Sequence, residues 1–466
     1  MENTTPPLSE QVAGMQSVAP LAVTRTLARY IVNSRFTDLP PAVVHEASRG
    51  LLNWLGCAVG ASRHDTVAFA FNAFAPFFGA PQAQLLGRPE RADILHAALL
   101  NGISSHVLDF DDTHFRAIHP SAPVLPALLA YAEWKKVSGA ELVHAYVLGV
   151  EVEERVGLSV FPEHYDRGWH ITGTAGVFGA AAAVGKLLGL DEQRMAWALG
   201  IAATQSSGLR EMFGSMCKSL HPGRAAQNGM AAALLAHSGF TSSERGIEAP
   251  RGFGHVMSSR FDPEFVINGL GERYEIMQNM YKPFACGLVV HPVIDGCLQL
   301  RRELQLDTAQ ISRVVARVNP LVMELTAKRA PTTGLESKFS VYHALAVALI
   351  YGAAGEAEFS IDVVRDPRVI ALRERVSAEP DAAMRKLEGH VRIELHDGRV
   401  FERHVENAVG SLAHPMSNDE LEQKFLALVK GILPSDRAAA LIDGCWKIAT
   451  MDDAGEIARL AATGPL

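Results

Sequence analysis

Cysteine, positive charge and long apolar runs are all scarce in this chain of 466 residues, and each scarcity narrows what it can be. The five cysteines (Cys57, Cys217, Cys286, Cys297 and Cys445) are scattered, with no C-x-x-C and no metal-ligand pairing, so they read as thiols in a reducing compartment. Lys and Arg number 43 against 51 Asp and Glu, a formal net charge of -8. That balance argues against nucleic acid as the main partner, because duplex binding needs a basic face. It leaves an anionic small substrate open, since only the local field in a pocket matters. The longest small-apolar run, Thr174–Gly185, is too short and too rich in glycine to span a bilayer. Residues 1–20 lack the basic start and apolar core of a signal peptide. The expectation is a cytoplasmic protein that needs neither membrane nor nucleic acid.

What is present is helical periodicity. Leu21–Asn33, Pro41–Ala61, Val67–Ala75, Val124–Val137, Glu141–Val156, Thr172–Leu188, Asp191–Ser207 and Arg224–Ser238 carry helix patterns. In Thr172–Leu188 the glycines suggest close helix–helix approach, and their spacing is not a dinucleotide fingerprint. No alternating strand is evident before about residue 260. The texture then changes. Arg273–Met280 and Ile311–Val318 read as strands, and Val391–Val405 reads as a hairpin turning at His396-Asp397-Gly398-Arg399. Pro292–Leu304 and Ser340–Tyr351 are interleaved helices, and Asn418–Lys430 and Ser435–Ile448 return to helix. The fold class expected is mainly α: a large all-helical domain (1–269 and 407–466) with a smaller α+β lid domain (270–406) inserted before the C-terminal helices.

The densest chemistry lies in Asn101–Pro126, where His106, Asp109, Asp111, Asp112, Thr113, His114, Arg116 and His119 interrupt two apolar helical patterns. Desolvating so many ionisable groups costs free energy that a fold has little reason to spend, and such clusters are where pKa values are tuned. In a helix, His106 and Asp109 would share a face. A solvated loop with Asp111 and Asp112 as N-caps is the bland alternative, and the repetition of His and Asp favours a site. His170, in Gly168-Trp169-His170-Ile171-Thr172, precedes a helix capped by Thr172 and is placed to point into a cleft. Lys218, His221 and Arg224 flank Pro222-Gly223, which reads as a break before helix Arg224–Ser238, whose free N–H groups suit a carboxylate or phosphate. Lys282, among Tyr281, Pro283 and Phe284, reads as lining an inter-domain cleft, with Cys286 and His291 nearby. Lys338 reads as a structural ion pair.

Taken together, H-x-x-D-F-D-D-T with a following H-P, G-W-H-I-T-G-T, C-K-x-L-H-P-G-R-A-A-x-N-G, K-P-F-A-C-G with H-P, and E-x-K-F-S resemble the MmgE/PrpD family, in order and over nearly the whole chain. The family includes 2-methylcitrate dehydratase, cis-aconitate decarboxylase and iminodisuccinate epimerase. The resemblance implies a homodimer and an inter-domain active site without metal or organic cofactor. It places Asp109, Thr113, His119, His170, Lys218 and Lys282 in the pocket. The chemistry implied is proton removal beside a carboxylate of a small polycarboxylate. Lys218 and Lys282 would stabilise the enediolate-like charge, His119 and His170 would serve as acid and base, and Asp109 would orient or tune one of them. Ala285-Cys286-Gly287, with His291 farther on, departs from the dehydratase and decarboxylase pattern and tilts the expectation to epimerisation of an iminodisuccinate-type substrate, with the two lyases as alternatives. Substrate contacts are expected from Thr113, His221, Arg224, Cys286 and His291.

Two other classes compete. Asp109-Phe110-Asp111-Asp112 resembles the Mg²⁺ motif of helical isoprenoid synthases, but no good second acidic motif is present and aromatics are only 7%. A non-catalytic binding protein would need no acid/base constellation.

Overall fold

The computed structural model describes residues 21–116 and 118–464, so the leader-free reading of residues 1–20 falls outside it. The described chain is mainly helical, as its periodicity requires. Helices Ile94–Val107, Ser121–Trp134, Gly139–Ser159, Ile171–Leu187 and Cys217–His237 form its centre. The last two pack along each other, and helix Ile171–Leu187 is buried at every position from Ile171 to Gly185. A helix apolar on all sides belongs inside other helices rather than against solvent. Its glycines do what their spacing suggests. A Cβ on Gly176 would stand 2.6 Å from Pro123, and one on Gly179 would stand 2.8 Å from the Gly149 carbonyl of helix Gly139–Ser159.

After Pro283 the chain builds a four-stranded sheet in the order Val376–Pro380, Ile311–Val318, Gly389–Leu395, Val400–Val405. Ile311–Val318 runs parallel to the first and antiparallel to the third, and the last two form the expected hairpin. Helices His291–Leu304 and Val341–Tyr351 cover it, and their apolar residues join Ile311, Val314, Val391 and Ile393 in one core. Asn418–Val429 and Ser435–Lys447 return to the helical body, packing on helix Pro41–Gly60. Among the described residues no helix is long and apolar enough to cross a membrane.

Four readings are corrected. Arg273–Met280 is not a strand: Glu275–Gln278 is a 3₁₀ turn, and only Asn279–Met280 is extended. Its polar backbone is claimed elsewhere. Arg155 donates to the carbonyls of Asn268, Gly269 and Arg273, and the Glu275 N–H donates to Glu151 at 2.7 Å. Strands do occur before residue 260, as two-residue ladders: Ala83–Gln84 with Arg91–Ala92, and Thr113–His114 with Asn279–Met280. Val376–Pro380 is an additional edge strand, where a terminal proline removes no needed ladder bond. Finally, Pro222 and Gly223 do not break the chain. One helix runs from Cys217 to His237 with Pro222 inside it, so no free N–H cluster forms at Arg224.

Candidate active site

Helix Ile94–Val107 begins at a good cap, Asp93 accepting from the N–H groups of Leu95 and His96, and ends beside a buried loop. Asp109 lies just past its end with φ 50°. That left-handed conformation is uncommon outside glycine, though aspartate tolerates it better than most residues. It is held by three bonds. The Asp109 N–H donates to the His106 carbonyl at 3.0 Å, Lys218 Nζ reaches Asp109 Oδ1 at 2.6 Å, and Lys282 Nζ donates to the Asp109 carbonyl at 2.9 Å while lying 3.3 Å from Oδ1. Burial alone would push the Asp109 carboxyl up, but the two adjacent ammonium groups outweigh it and hold the carboxyl well below the usual range.

Lys218 also donates to His106 Nε2 at 2.9 Å, which fixes the proton on the other ring nitrogen. His106 Nδ1–H then donates to Asp111 Oδ2 at 2.8 Å. Burial drives His106 down to about 3, so the ring is neutral, while Asp111 stays ionised despite its own burial because His106 and His119 face it. The Lys218 amine is itself lowered, chiefly by desolvation and against the pull of Asp109.

His119 sits on the other side of the loop. Its Nδ1 lies 3.0 Å from the Asp112 carbonyl, 3.2 Å from Thr113 Oγ1 and 3.3 Å from Asp111 Oδ2. Nδ1 therefore carries the proton, and Nε2, with no partner among the described residues, keeps a lone pair at the cavity. Desolvation lowers His119 below the ordinary imidazole value. His170, rather than Thr172, stands at the N-cap position of helix Ile171–Leu187 without a side-chain cap bond, and packs against His106 with ring centroids 5.8 Å apart. Its Nδ1 is 2.9 Å from His221 Nδ1, so one ring donates and the other accepts. Both are pushed down by burial, His221 to about 4.

These groups meet at a cavity of about 390 Å³ whose charged floor is Asp109, Thr113, His119, His170, Lys218 and Lys282. All six residues that the resemblance placed in the pocket are there. The other expected contacts are not. His221 touches the site only through His170, and Arg224 bonds Gln227 on its own helix. Cys286 is fully buried, with its thiol pushed up to about 12. His291 begins the helix under the sheet, driven by burial down to about 3. None of the four lines the cavity. Asp109 orients neither His119 nor His170; Asp111 and the Asp112 carbonyl hold His119 instead. Nor are Asp111 and Asp112 caps: Asp112 Oδ2 accepts from Ser121 at 2.6 Å and from Asn279 at 2.7 Å. Lys338 pairs with Glu356 at 2.5 Å, as its surroundings suggest.

His106 and Asp111 belong to the site as positioning groups. Their signal was visible in the clustering of Asn101–Pro126, although the i,i+5 pairing needs the helix to end between them. Ligand-type atoms of His106, Asp109 and His119 lie within 4.8 Å of one another, a spacing that suits a metal. The Lys218 ammonium already holds His106 Nε2 and Asp109 Oδ1, so a cation there would have to displace a cation. The three aspartates engage lysine, histidine and serine separately, which is unlike a shared Mg²⁺ motif.

The MmgE/PrpD N-terminal domain matches residues 25–266, and the MmgE/PrpD C-terminal domain matches residues 284–448. Cis-aconitate decarboxylase of Homo sapiens is 27% identical over 457 residues, covering 94% of each chain. The Aspergillus terreus enzyme of the same name is 27% identical over 92% of this chain and 93% of its own. The 2-methylcitrate dehydratase of Escherichia coli (strain K12) is 24% identical over 76% of this chain and 79% of its own.

Proposed function

The chain belongs to the MmgE/PrpD family, and from that premise we propose that it is a lyase acting on a small polycarboxylate through side-chain acid–base chemistry alone. The relatives named above are a decarboxylase and a dehydratase. They support the lyase alternative better than the epimerisation favoured by the Ala285-Cys286-Gly287 departure. That departure also loses its weight, because Cys286 lies outside the cavity.

The single observation that carries the reading is a neutral imidazole, His119, and a buried ammonium, Lys218, on one cavity floor. For loss of water, His119 Nε2 takes the proton beside the carboxylate. The C–H pair becomes the new double bond, and hydroxide departs with a proton from the ammonium. For loss of carbon dioxide from an unsaturated acid, the C–C pair shifts along the alkene and the same acid protonates the far carbon. In both, Lys282 and Lys218 face the carboxylate where charge gathers, a dry electrostatic contribution that is commonly the largest in catalysis. Asp109 is too strongly held as its anion to exchange protons, and its part is to fix both ammonium groups.

The test is NMR of the purified protein with cis-aconitate and with 2-methylcitrate, in EDTA. Product alkene with one carboxylate fewer is expected for the first, and dehydrated product for the second. Lys218→Met should lower kcat by roughly 10²–10⁴-fold, the ordinary worth of a general acid. Scrambled stereochemistry without an alkene or carbon dioxide would sink the lyase reading.

A further inference from the structure

The wall above the charged floor is apolar. Phe161 and Tyr165 contribute from the helical body, Leu288, Leu321 and Leu325 from the segments beside the sheet, and Leu387 from the loop before strand Gly389–Leu395. The four leucines are only half-buried, so they face the cavity rather than a neighbour's core. The cations at the exposed rim, Arg116 and Lys386, lie over aromatic rings, at 5.0 Å from Phe115 and 5.3 Å from Phe161. Their charged heads thus rest on those rings at the rim.

Two quantities limit what fits. The cavity holds about 390 Å³, whereas an apolar cavity of roughly 150 Å³ already accommodates a benzene ring. The floor sets two ammonium groups against the single carboxylate of Asp109, with the imidazoles driven neutral by burial. Such a floor can seat a carboxylate pair at the reacting carbons. The leucines themselves offer nothing to a polar group, and a carboxylate pressed on them would forfeit its hydration without compensation; the other charged groups lining the cavity are Arg116, Asp166 and Lys386.

Resting on the lyase reading, we infer that the substrate this site is shaped for is a polycarboxylate bearing an aliphatic arm of several carbons, its carboxylates on the floor and its arm along Leu288, Leu321, Leu325 and Leu387. An unsubstituted acid leaves that wall wet. A methyl substituent covers only its edge.

The experiment has two readouts. Isothermal titration with succinate and its 2-methyl, 2-butyl and 2-hexyl derivatives, none of which can lose water, measures the wall alone. Affinity is expected to rise roughly fourfold for each methylene buried. Steady-state kcat/KM over cis-aconitate, 2-methylcitrate, 2-butylcitrate and 2-hexylcitrate measures the reaction, with the longer arms expected to lead. Rising affinity without turnover of any member would overturn the lyase reading and leave the inference about the wall standing. Turnover of cis-aconitate with flat or falling affinity along the succinates would overturn the inference and leave the lyase. Leu325→Glu, or Leu325→Asn should the first fail to fold, is expected to flatten the dependence on arm length; an unchanged slope would overturn the placement of the arm.

Discussion

At Asp109 a left-handed backbone, a doubly paired carboxylate and a helix terminus coincide, and the strain, of the order of 1–3 kcal/mol, persists because Lys218 and Lys282 grip the residue from two directions. With that anion fixed, the titrating groups are the histidines. Desolvation lowers both His119 and His170, so the neutral, proton-accepting form is the one present at pH 7 and is lost only as pH falls below the ordinary imidazole value, about 6.5. The acid limb of a kcat/KM profile should therefore have its midpoint below that value; a midpoint at or above it would sink the assignment of a histidine base. Asp112 moves the other way, pushed up to about 7 by burial, with Oδ1 unpartnered. Folding favours its protonated form, so its contribution to stability is complete below the unfolded carboxyl value and is lost as pH rises through about 7. Asp112→Asn still accepts from Ser121 and Asn279 and cannot ionise. Calorimetry should find its unfolding temperature several degrees above the wild type at pH 8, with the gap narrowing steadily as pH falls from about 7 toward the unfolded carboxyl value, about 3.9. At this scale the sequence was informative about residue type and silent about pairing. The density of His and Asp in Asn101–Pro126 marked the site, but which aspartate serves which histidine depends on where one helix ends.

Helix Cys217–His237 brings Lys218 to His106 by lying hard against helix Ile94–Val107. The two cross at glycines: a Cβ on Gly102 would stand 2.6 Å from the Gly223 Cα, and one on Gly223 would stand 2.5 Å from the Leu99 carbonyl. Backbone cannot move aside as a flexible side chain can, so Gly223→Ala must separate the helices. It should cost about 1–3 kcal/mol, read as a lower urea midpoint, and should depress kcat because Lys218 is carried on the displaced segment. An unchanged midpoint would refute the close crossing. Pro222-Gly223 looks like a break when read along the chain, since proline withdraws an N–H and glycine weakens a helix. Packing overrides both, and the same glycine that suggests an end is what lets the helix continue through a tight crossing. The edge strand Val376–Pro380 was illegible for the complementary reason. Nothing in V-S-A-E-P marks a strand, and its conformation is set by pairing with Ile311–Val318.

Across the whole molecule, helix Asn418–Val429 backs the two stretches that carry Asp109 and Lys282. Return of helical periodicity after the sheet indicated that this segment rejoins the helical body, and the packing of Asn418–Val429 on Pro41–Gly60 agrees. Lys424 lies on that helix. It is buried, its Nζ donating to Asn53 Oδ1 at 2.8 Å and to the carbonyls of Phe110 at 2.6 Å and Lys282 at 2.9 Å, with the Phe110 ring 3.8 Å away. One ammonium thus ties together the two stretches that hold Asp109 and its second lysine, which lie more than 170 residues apart in sequence. Lys424→Met keeps the volume and strands three acceptors, each costing about 1–3 kcal/mol when left unsatisfied. The variant should unfold at a distinctly lower urea concentration. In the folded fraction kcat should fall on the order of tenfold, with KM changed less, because a 1 Å displacement of catalytic groups is enough for such losses. A folded Lys424→Met enzyme with wild-type kcat would mean that Asp109 and Lys282 hold their geometry unaided, and that helix Asn418–Val429 contributes only packing.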